Sequence, residues 1–117
     1  MNYETITRKG LDGWVAETSA QIGQEPTGKR MLKLTTARGR GGLCTSASIS
    51  IHQPGGIRMF RIGGDDFHRP VVNAAPCNRV TENAVLQLHN RALLEFPALI
   101  GEATAFYAQR ETQPDER

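Results

Sequence analysis

The stretch that decides the fold is LCTSASISIH, residues 43–52. Its odd-numbered positions are apolar or threonine, and its even-numbered positions are cysteine, serine or histidine, without a break. A period of two places these two sets on opposite faces of a β-strand. The stretch therefore predicts a strand with one buried face and one face of small polar groups. The set predicted to be buried is Leu43, Thr45, Ala47, Ile49 and Ile51.

Further strands are predicted on both sides of this stretch. Residues 14–22 alternate in the same way, and we place the face that carries the single tryptophan, Trp14, inward. Glycine and proline clusters separate the remaining strand patterns. We therefore expect an antiparallel meander of four to five strands over about residues 3–75. The other strands of this meander are predicted at 3–7, 30–37 and 57–62, and a further short strand at 71–73 is an option.

The sequence period changes to a helical one after residue 80. Thr81 is predicted as an N-cap with Glu82 in the first turn, and apolar residues follow at helical spacing to about residue 95. Pro97 lacks the amide hydrogen that a continuing helix needs, so we predict a kink there. The expected fold is α+β, with a C-terminal helical hairpin kinked at Pro97 covering one face of the sheet. We predict one domain over residues 1–110 and a frayed polar tail at 111–117.

Length and charge limit the function classes. A chain of 117 residues fits a single core. No run approaches the roughly 18 apolar residues of a membrane span, and the N-terminus lacks the apolar region of a signal peptide, so we expect a cytoplasmic protein without membrane contact. Residues 1–79 contain 11 Lys or Arg and 6 Asp or Glu, whereas residues 80–117 contain 3 and 6. The strand half is thus basic, which suits an acidic protein surface or phosphates.

The string RIGGDDF at residues 61–67 resembles the GGDEF signature of diguanylate cyclases. The resemblance implies that the glycines approach nucleotide phosphates and that Asp65 and Asp66 take the acidic positions. The second carboxylate is Asp where that family has Glu, and residues 1–60 are predicted as strands where that family has a long helix. We therefore interpret GGDD at 63–66 as a hairpin turn, since Gly and Asp both favour turns.

The loop RGRGG at residues 38–42 is the main candidate for binding. Backbone amides in a glycine-rich turn can bind phosphate, and arginines pair with phosphate oxygens through two hydrogen bonds. The loop lacks the GxxxxGK[ST] pattern of a P-loop, so nucleoside triphosphate binding is not supported. A plain hairpin loop is the alternative. With the neighbouring basic residues, the candidate binding residues are Lys29, Arg30, Lys33, Arg38, Arg40 and Arg61.

The polar face of the central strand is a second candidate surface. We expect its side chains to lie near Lys33 and Arg61 on neighbouring strands. Such sheet faces bind single-stranded nucleic acid in several folds, but they normally add aromatic side chains for base stacking, and none is predicted on this face. The residues of this face are Ser46, Ser48, Ser50 and His52.

The histidines and cysteines do not predict a catalytic or metal site. None of them shares a ligand spacing such as HxxxH or CxxC, and we interpret both cysteines as reduced and structural. His89 is predicted as a surface or partly buried residue. We expect no catalytic residues, no cofactor and no bound metal. The residues considered are His52, His68, His89, Cys44 and Cys77.

The sequence therefore favours a small non-enzymatic binding module that acts through protein–protein contact, of the inhibitor or adaptor type found on mobile genetic elements. The alternative is a nucleic-acid-binding protein that contacts phosphates through the basic strand half and the RGRGG loop. Sequence alone does not separate these two, because a basic surface serves an acidic protein as well as a phosphate backbone. A homodimer through a sheet edge is a further option.

Overall fold

Alternating strands joined by short turns form an antiparallel sheet that is followed by helices. The computed structural model describes residues 3–25, 28–52 and 67–112. The elements are β1 (Thr5–Gly10), β2 (Gly13–Glu25), β3 (Gly28–Gly39), β4 (Gly42–His52), β5 (His68–Ala75), α1 (Glu82–Ala92), a 3-10 turn (Leu93–Glu95) and α2 (Phe96–Thr112).

The sheet has five strands in the order β1-β2-β3-β4-β5, each antiparallel to its neighbour. The β3–β4 ladder runs without a register shift from Lys29↔His52 to Gly39↔Gly42. The antiparallel meander predicted from the sequence is confirmed. Next to β4 lies β5, which includes the predicted short strand at 71–73, whereas the strand predicted at 57–62 and the GGDD turn lie outside the described residues.

The β1–β2 turn and the β3–β4 turn each require a glycine, because atoms of another residue approach its α-carbon closely. Gly13 has a φ of 117°, and a Cβ there would lie 2.6 Å from the Cβ of Val80. Gly42 has a φ of 146°, and a Cβ there would collide with the carbonyl oxygen of Ala75. Residues that carry a side chain rarely adopt such positive φ values. These contacts place the β1–β2 turn, the β3–β4 turn and the segment between β5 and α1 at one end of the sheet.

The core lies between one sheet face, here called the inner face, and the helices. Helix α1 packs on β2, β3 and β4, and α2 packs on β2 and β3. The inner face is the one predicted from the alternation, so that assignment is confirmed; Trp14 packs half-buried at its margin. The buried core side chains include Leu32, Leu34, Ala47, Ile49, Phe67, Phe96, Leu99 and Ala103.

The C-terminal region is one helical segment, and neither the predicted hairpin nor the predicted kink at Pro97 is found in it. Leu93 and Phe96 both have right-handed helical backbone angles, so the chain does not reverse between α1 and α2. Pro97 lies in the first turn of α2, directly after the 3-10 turn. A missing amide is tolerated there because the first amides of a helix have no partner within it. Among the described residues, no helix is long and apolar enough to cross a membrane.

Candidate functional site

Two hairpin turns lie side by side at one end of the sheet. The Nε atom of Arg38 donates a hydrogen bond to the carbonyl oxygen of Asp12 at 3.2 Å, which joins the β3–β4 hairpin to the β1–β2 turn. Leu11 stands between β1 and β2 with a relative exposure of 106%, and Arg40 is exposed in the neighbouring turn. The joined turns therefore present an apolar side chain next to arginines.

Two more cations lie at this end of the sheet. Lys9 is exposed at the end of β1, opposite Trp14. The amide of Trp14 donates to the carbonyl oxygen of Val80 at 3.3 Å, so the exposed Arg79 lies beside the β1–β2 turn. We call this surface the hairpin end. It consists of Lys9, Leu11, Asp12, Arg38, Arg40 and Arg79, four basic residues with one acidic residue and one leucine.

The structure brings together only two of the six predicted binding residues. Arg38 and Arg40 both belong to the hairpin end, whereas the exposed Lys29 lies at the opposite end of β3. Nine residues of extended strand separate Lys29 from Arg38, a distance of about 30 Å. Arg61 lies outside the described residues. The predicted residues therefore do not form one continuous surface.

Arg30 lies in the core and not on the surface that the sequence interpretation gave it. It shares the inner face with Leu32 and Leu34 and is buried. Its guanidinium carbon lies 4.3 Å from the centroid of the Tyr107 ring on α2, a cation–π geometry. Strand alternation is the physical reason, because Arg30 and Lys29 must point to opposite faces.

Lys33 lies on the opposite, outer face of the sheet, in an ion-pair group. Its Nζ is 3.5 Å from Oε2 of Glu17, while Arg8 Nη2 donates to Oε1 of Glu17 at 2.6 Å. Burial raises the pKa of Glu17, but the hydrogen bond from Arg8 and the positive charges of Lys33 and Arg8 outweigh burial and hold that pKa below its usual value. Lys33 thus acts within the protein as a partner of Glu17.

The outer face carries the predicted row of serines. Ser46 and Ser48 are half-buried and Ser50 is buried. The side chain of His52 lies outside the described residues. Of the two cations expected near this row, Lys33 pairs opposite Ser48 in the β3–β4 ladder, whereas the position of Arg61 stays a prediction.

A buried row of polar side chains crosses the core, and the sequence interpretation missed it. His89 on α1 is 0% exposed, so its assignment as a surface or partly buried residue is wrong. Its Nε2 lies 2.7 Å from Thr18 Oγ1, and its Nδ1 lies 2.7 Å from Thr36 Oγ1. Thr18 continues to Thr5, and Thr36 to Thr45, each at 2.7 Å between hydroxyl oxygens. We call these five residues the polar row.

Burial sets the chemistry of the polar row. Burial lowers the pKa of His89 to about 4, against a smaller opposing effect of the Glu17 charge. A neutral imidazole donates through one ring nitrogen and accepts through the other, so one of Thr18 and Thr36 donates to the ring and the other accepts. Every ring nitrogen therefore has a partner, as buried polar groups require. The row satisfies His89 inside the core and gives it a structural role.

A sequence signal for this row exists. Thr18 and Thr45 lie on strand faces that the alternation already assigned inward, and His89 lies four residues after Val85 and three before Ala92 on the apolar stripe of α1. A histidine on such a stripe must be buried and must find partners on the facing strands.

The remaining candidates from the sequence are the two cysteines and the other histidines. Within the ranges the structure describes, no group of three or more His, Cys, Asp and Glu side chains could hold a metal ion. Cys44 and Cys77 are both half-buried thiols, and Cys77 Sγ donates to the carbonyl oxygen of Arg79 at 2.9 Å.

Comparison with protein-family models, with curated proteins and with solved structures finds no match in any of the three.

Proposed function

We propose that this chain is a small protein-binding module that contacts its partner through the hairpin end. The observation that carries the proposal is Leu11, fully exposed on a turn that Arg38 joins to the neighbouring hairpin. An isolated exposed leucine is ordinary. An exposed leucine that shares one end of the sheet with four basic residues fits a protein interface, in which an apolar centre is surrounded by a polar rim.

The hairpin end is held in place before a partner arrives. The hydrogen bonds from Arg38 to Asp12 and from Trp14 to Val80 fix the two turns relative to each other and to the segment that precedes α1. Gly13 and Gly42 fix the turn backbones through close packing. A surface ordered in advance loses little conformational entropy on binding, which favours affinity.

The charges define the partner class. Lys9, Arg38, Arg40 and Arg79 outnumber the one carboxylate of the hairpin end, Asp12. A further carboxylate, that of Glu82 three residues after Arg79, accepts a hydrogen bond from Thr7 at 2.7 Å. We therefore propose an acidic protein surface with an apolar depression for Leu11 as the partner. Such a module would act as an inhibitor or adaptor, by covering a surface of its partner.

Nucleic-acid binding is the second candidate, and the same four cations favour it. Phosphates would pair with the arginines in the same way as carboxylates. Base stacking needs exposed aromatic rings. Trp14, which directly follows the β1–β2 turn, packs half-buried on Ala16, Leu43, Val85 and Leu88. The exposed Leu11 of this surface therefore favours a protein partner over a phosphate backbone.

The two candidates are separated by capture from a nuclease-treated lysate with the immobilised protein. The parent is compared with Arg38→Ala/Arg40→Ala and with a control of equal charge loss, Lys29→Ala/Arg91→Ala, whose residues are exposed away from the hairpin end. A protein that survives nuclease and is lost only from the Arg38/Arg40 variant supports the proposal. Capture that disappears with nuclease for the parent contradicts it.

A single-stranded oligonucleotide tests the second candidate directly. If phosphates are the ligand, the logarithm of the binding constant should fall with the logarithm of salt concentration, with a slope near −0.7 for each phosphate neutralised. The Arg38/Arg40 variant should then show a slope smaller by about 1 to 2. No measurable binding of the oligonucleotide at low salt would exclude this candidate.

A further inference from the structure

Among the described strands, β1 pairs with β2 along one edge only, and the hydrogen bonds of Trp14 show which groups point outward from the other edge. In an antiparallel ladder, opposite residues alternate between hydrogen-bonded and non-hydrogen-bonded pairs. The amide of Trp14 donates to Val80 and therefore not to Lys9, its partner across the ladder. Lys9↔Trp14 is thus a non-hydrogen-bonded pair, and so are Thr7↔Ala16 and Thr5↔Thr18. The backbone amides and carbonyls of Thr5, Thr7 and Lys9 point to the free edge.

The two edges of the described sheet differ in how they are protected. Strand β5 carries Pro70, which cannot donate a backbone hydrogen bond, and its ladder with β4 has two register shifts. Prolines and bulges are the usual means of blocking an edge. Strand β1 has neither, because its six residues pair with β2 in an unbroken register. Its edge also carries Ile6 with 61% of its surface exposed. The β1 edge is therefore open to another strand.

We propose that the β1 edge pairs antiparallel with β1 of a second copy of this chain, centred on Ile6. In this register Thr5 lies opposite Thr7 of the second copy, and their outward backbone groups form the hydrogen-bonded pairs. Ile6 lies opposite Ile6 of the second copy. Glu4 lies opposite Arg8 of the second copy, and the two-fold symmetry repeats this ion pair.

Charge selects this register among the alternatives. Shifting the centre to Thr5 would place Glu4 opposite Ile6, and shifting it to Thr7 would place Ile6 opposite Arg8. Neither shift pairs opposite charges on this face. A centre between two residues would set outward backbone groups against inward ones, which a ladder does not allow. The register centred on Ile6 alone matches the backbone groups, the isoleucine and both charges.

The surroundings of the edge accommodate a second copy. The helices pack mainly on β2, β3 and β4, so their bulk stands back from β1. Ile6 lies opposite Glu17 in the ladder, which places Ile6 and Arg8 on the outer face, away from the helices. The exposed Glu4 lies one residue before β1 and continues this alternation. Arg8 bonds Glu17 through Nη2, yet its side chain is 60% exposed, and a guanidinium has five N–H donors. It can therefore bond Glu4 of the second copy while it keeps Glu17.

A single strand pair forms a small interface, so we expect association that depends on concentration. About four backbone hydrogen bonds form in the two Thr5–Thr7 pairs. This is below the size of an obligate dimer interface. The proposed dimer pairs the side chains of Glu4, Ile6 and Arg8, and none of these residues belongs to the hairpin end. Lys9 is the one residue of β1 that also belongs to the hairpin end. Dimer formation and partner binding can thus be tested by separate variants.

Sedimentation equilibrium over a concentration series tests the proposal with charge reversals. Glu4→Arg and Arg8→Glu each place like charges opposite one another in the dimer, so each alone should dissociate to monomer at concentrations where the parent dimerises. Mixing the two variants restores both opposite-charge pairs, and a heterodimer should form. Melting temperatures are measured for both, because Arg8→Glu also loses the bond to Glu17, whereas Glu4 makes no such bond within the described part of the chain.

Three results would overturn the proposal. The first is a parent that stays monomeric to its highest soluble concentration. The second is a Glu4→Arg variant that folds like the parent and dimerises equally well. The third is a mixture of two folded variants that remains monomeric.

Discussion

The two faces of the sheet show how differently one set of strands can be used. On the inner face, Leu34 and Ala47 lie opposite one another, fully buried under the helices. On the outer face of the same ladder, Lys33 lies opposite Ser48, and Lys33 pairs with Glu17. The inner face stabilises the fold through burial, whereas the partly exposed ion pairs of the outer face contribute little. Binding is proposed at neither face but at one end of the sheet.

The inner face itself is not uniformly apolar. The polar row, with His89 at its centre, crosses it from β1 to β4. Every polar group in such a row needs a hydrogen-bond partner, because a buried polar network with unpaired groups is less stable than an apolar core. We therefore expect substitutions to change stability strongly at apolar residues of the inner face, in a pH-dependent way in the polar row, and only slightly on the outer face.

The largest effect is expected at Leu34. Replacing Leu34 by Ala removes buried methyl groups and leaves a cavity, so the free energy of unfolding should fall by about 2 to 5 kcal/mol. Urea denaturation measures this. Leu94→Ala is the matched control, since Leu94 on the 3-10 turn is 84% exposed, and it should change stability by less than about 0.5 kcal/mol. Equal effects of the two changes would show that the faces are assigned wrongly.

The second effect concerns pH and His89. The pKa of His89 is near 6.5 when unfolded and about 4 when folded, so between these values the unfolded state binds more protons. Stability from this residue is therefore complete above about pH 6.5 and is lost as the pH falls toward 4. The total loss should be on the order of 3 kcal/mol, from about 1.4 kcal/mol for each pKa unit.

The variant His89→Gln isolates that contribution. Glutamine can hydrogen-bond a threonine but does not titrate, so the variant should be less stable at pH 7 and should lose the part of the slope between pH 6.5 and 4 that belongs to His89. Denaturation of both proteins at several pH values measures the difference. Identical slopes for parent and variant would mean that His89 is not buried in its neutral form.

The smallest stability effect is expected on the outer face. Glu17→Gln removes the charge that Arg8 and Lys33 share, and partly exposed ion pairs contribute about 0.2 to 1 kcal/mol. The loss should shrink in high salt, because salt screens exposed charges. Because the pKa of Glu17 is lowered in the folded protein, its contribution to stability is lost as acid protonates the carboxylate. The difference in stability between parent and variant should therefore vanish at pH values below the usual carboxyl range. A loss as large as that of Leu34→Ala would contradict the comparison.

Much of the fold could be predicted because strand alternation and turn chemistry are local properties. The alternation at residues 43–52 gave the correct faces, and Thr81 accepts a hydrogen bond from the amide of Ala84 as an N-cap should. The prediction of a helical hairpin was wrong because Pro97 was treated as a helix breaker, although the first turn of a helix accepts proline. Local patterns do not distinguish a restart from a reversal of the chain.

The candidate site was less predictable because it depends on contacts distant in sequence. Arg38 and Arg40 were predicted as candidates from their glycine-rich loop, whereas the exposed Leu11 at the same end of the sheet was not. Its place beside the arginines follows from the bond between Arg38 and Asp12, which are 26 residues apart. Arg30 was misassigned for a simpler reason, since counting basic residues ignores the face on which a strand places each one.

The most direct test of the account measures stability and binding on the same variant, Arg38→Ala/Arg40→Ala. Both side chains are exposed at a turn, so urea denaturation should give a free energy of unfolding within about 0.5 kcal/mol of the parent. Capture of a protein partner from nuclease-treated lysate should fall at least tenfold, while Lys29→Ala/Arg91→Ala captures as the parent does. Unchanged capture by a stably folded Arg38/Arg40 variant would contradict the claim that the hairpin end is the binding surface.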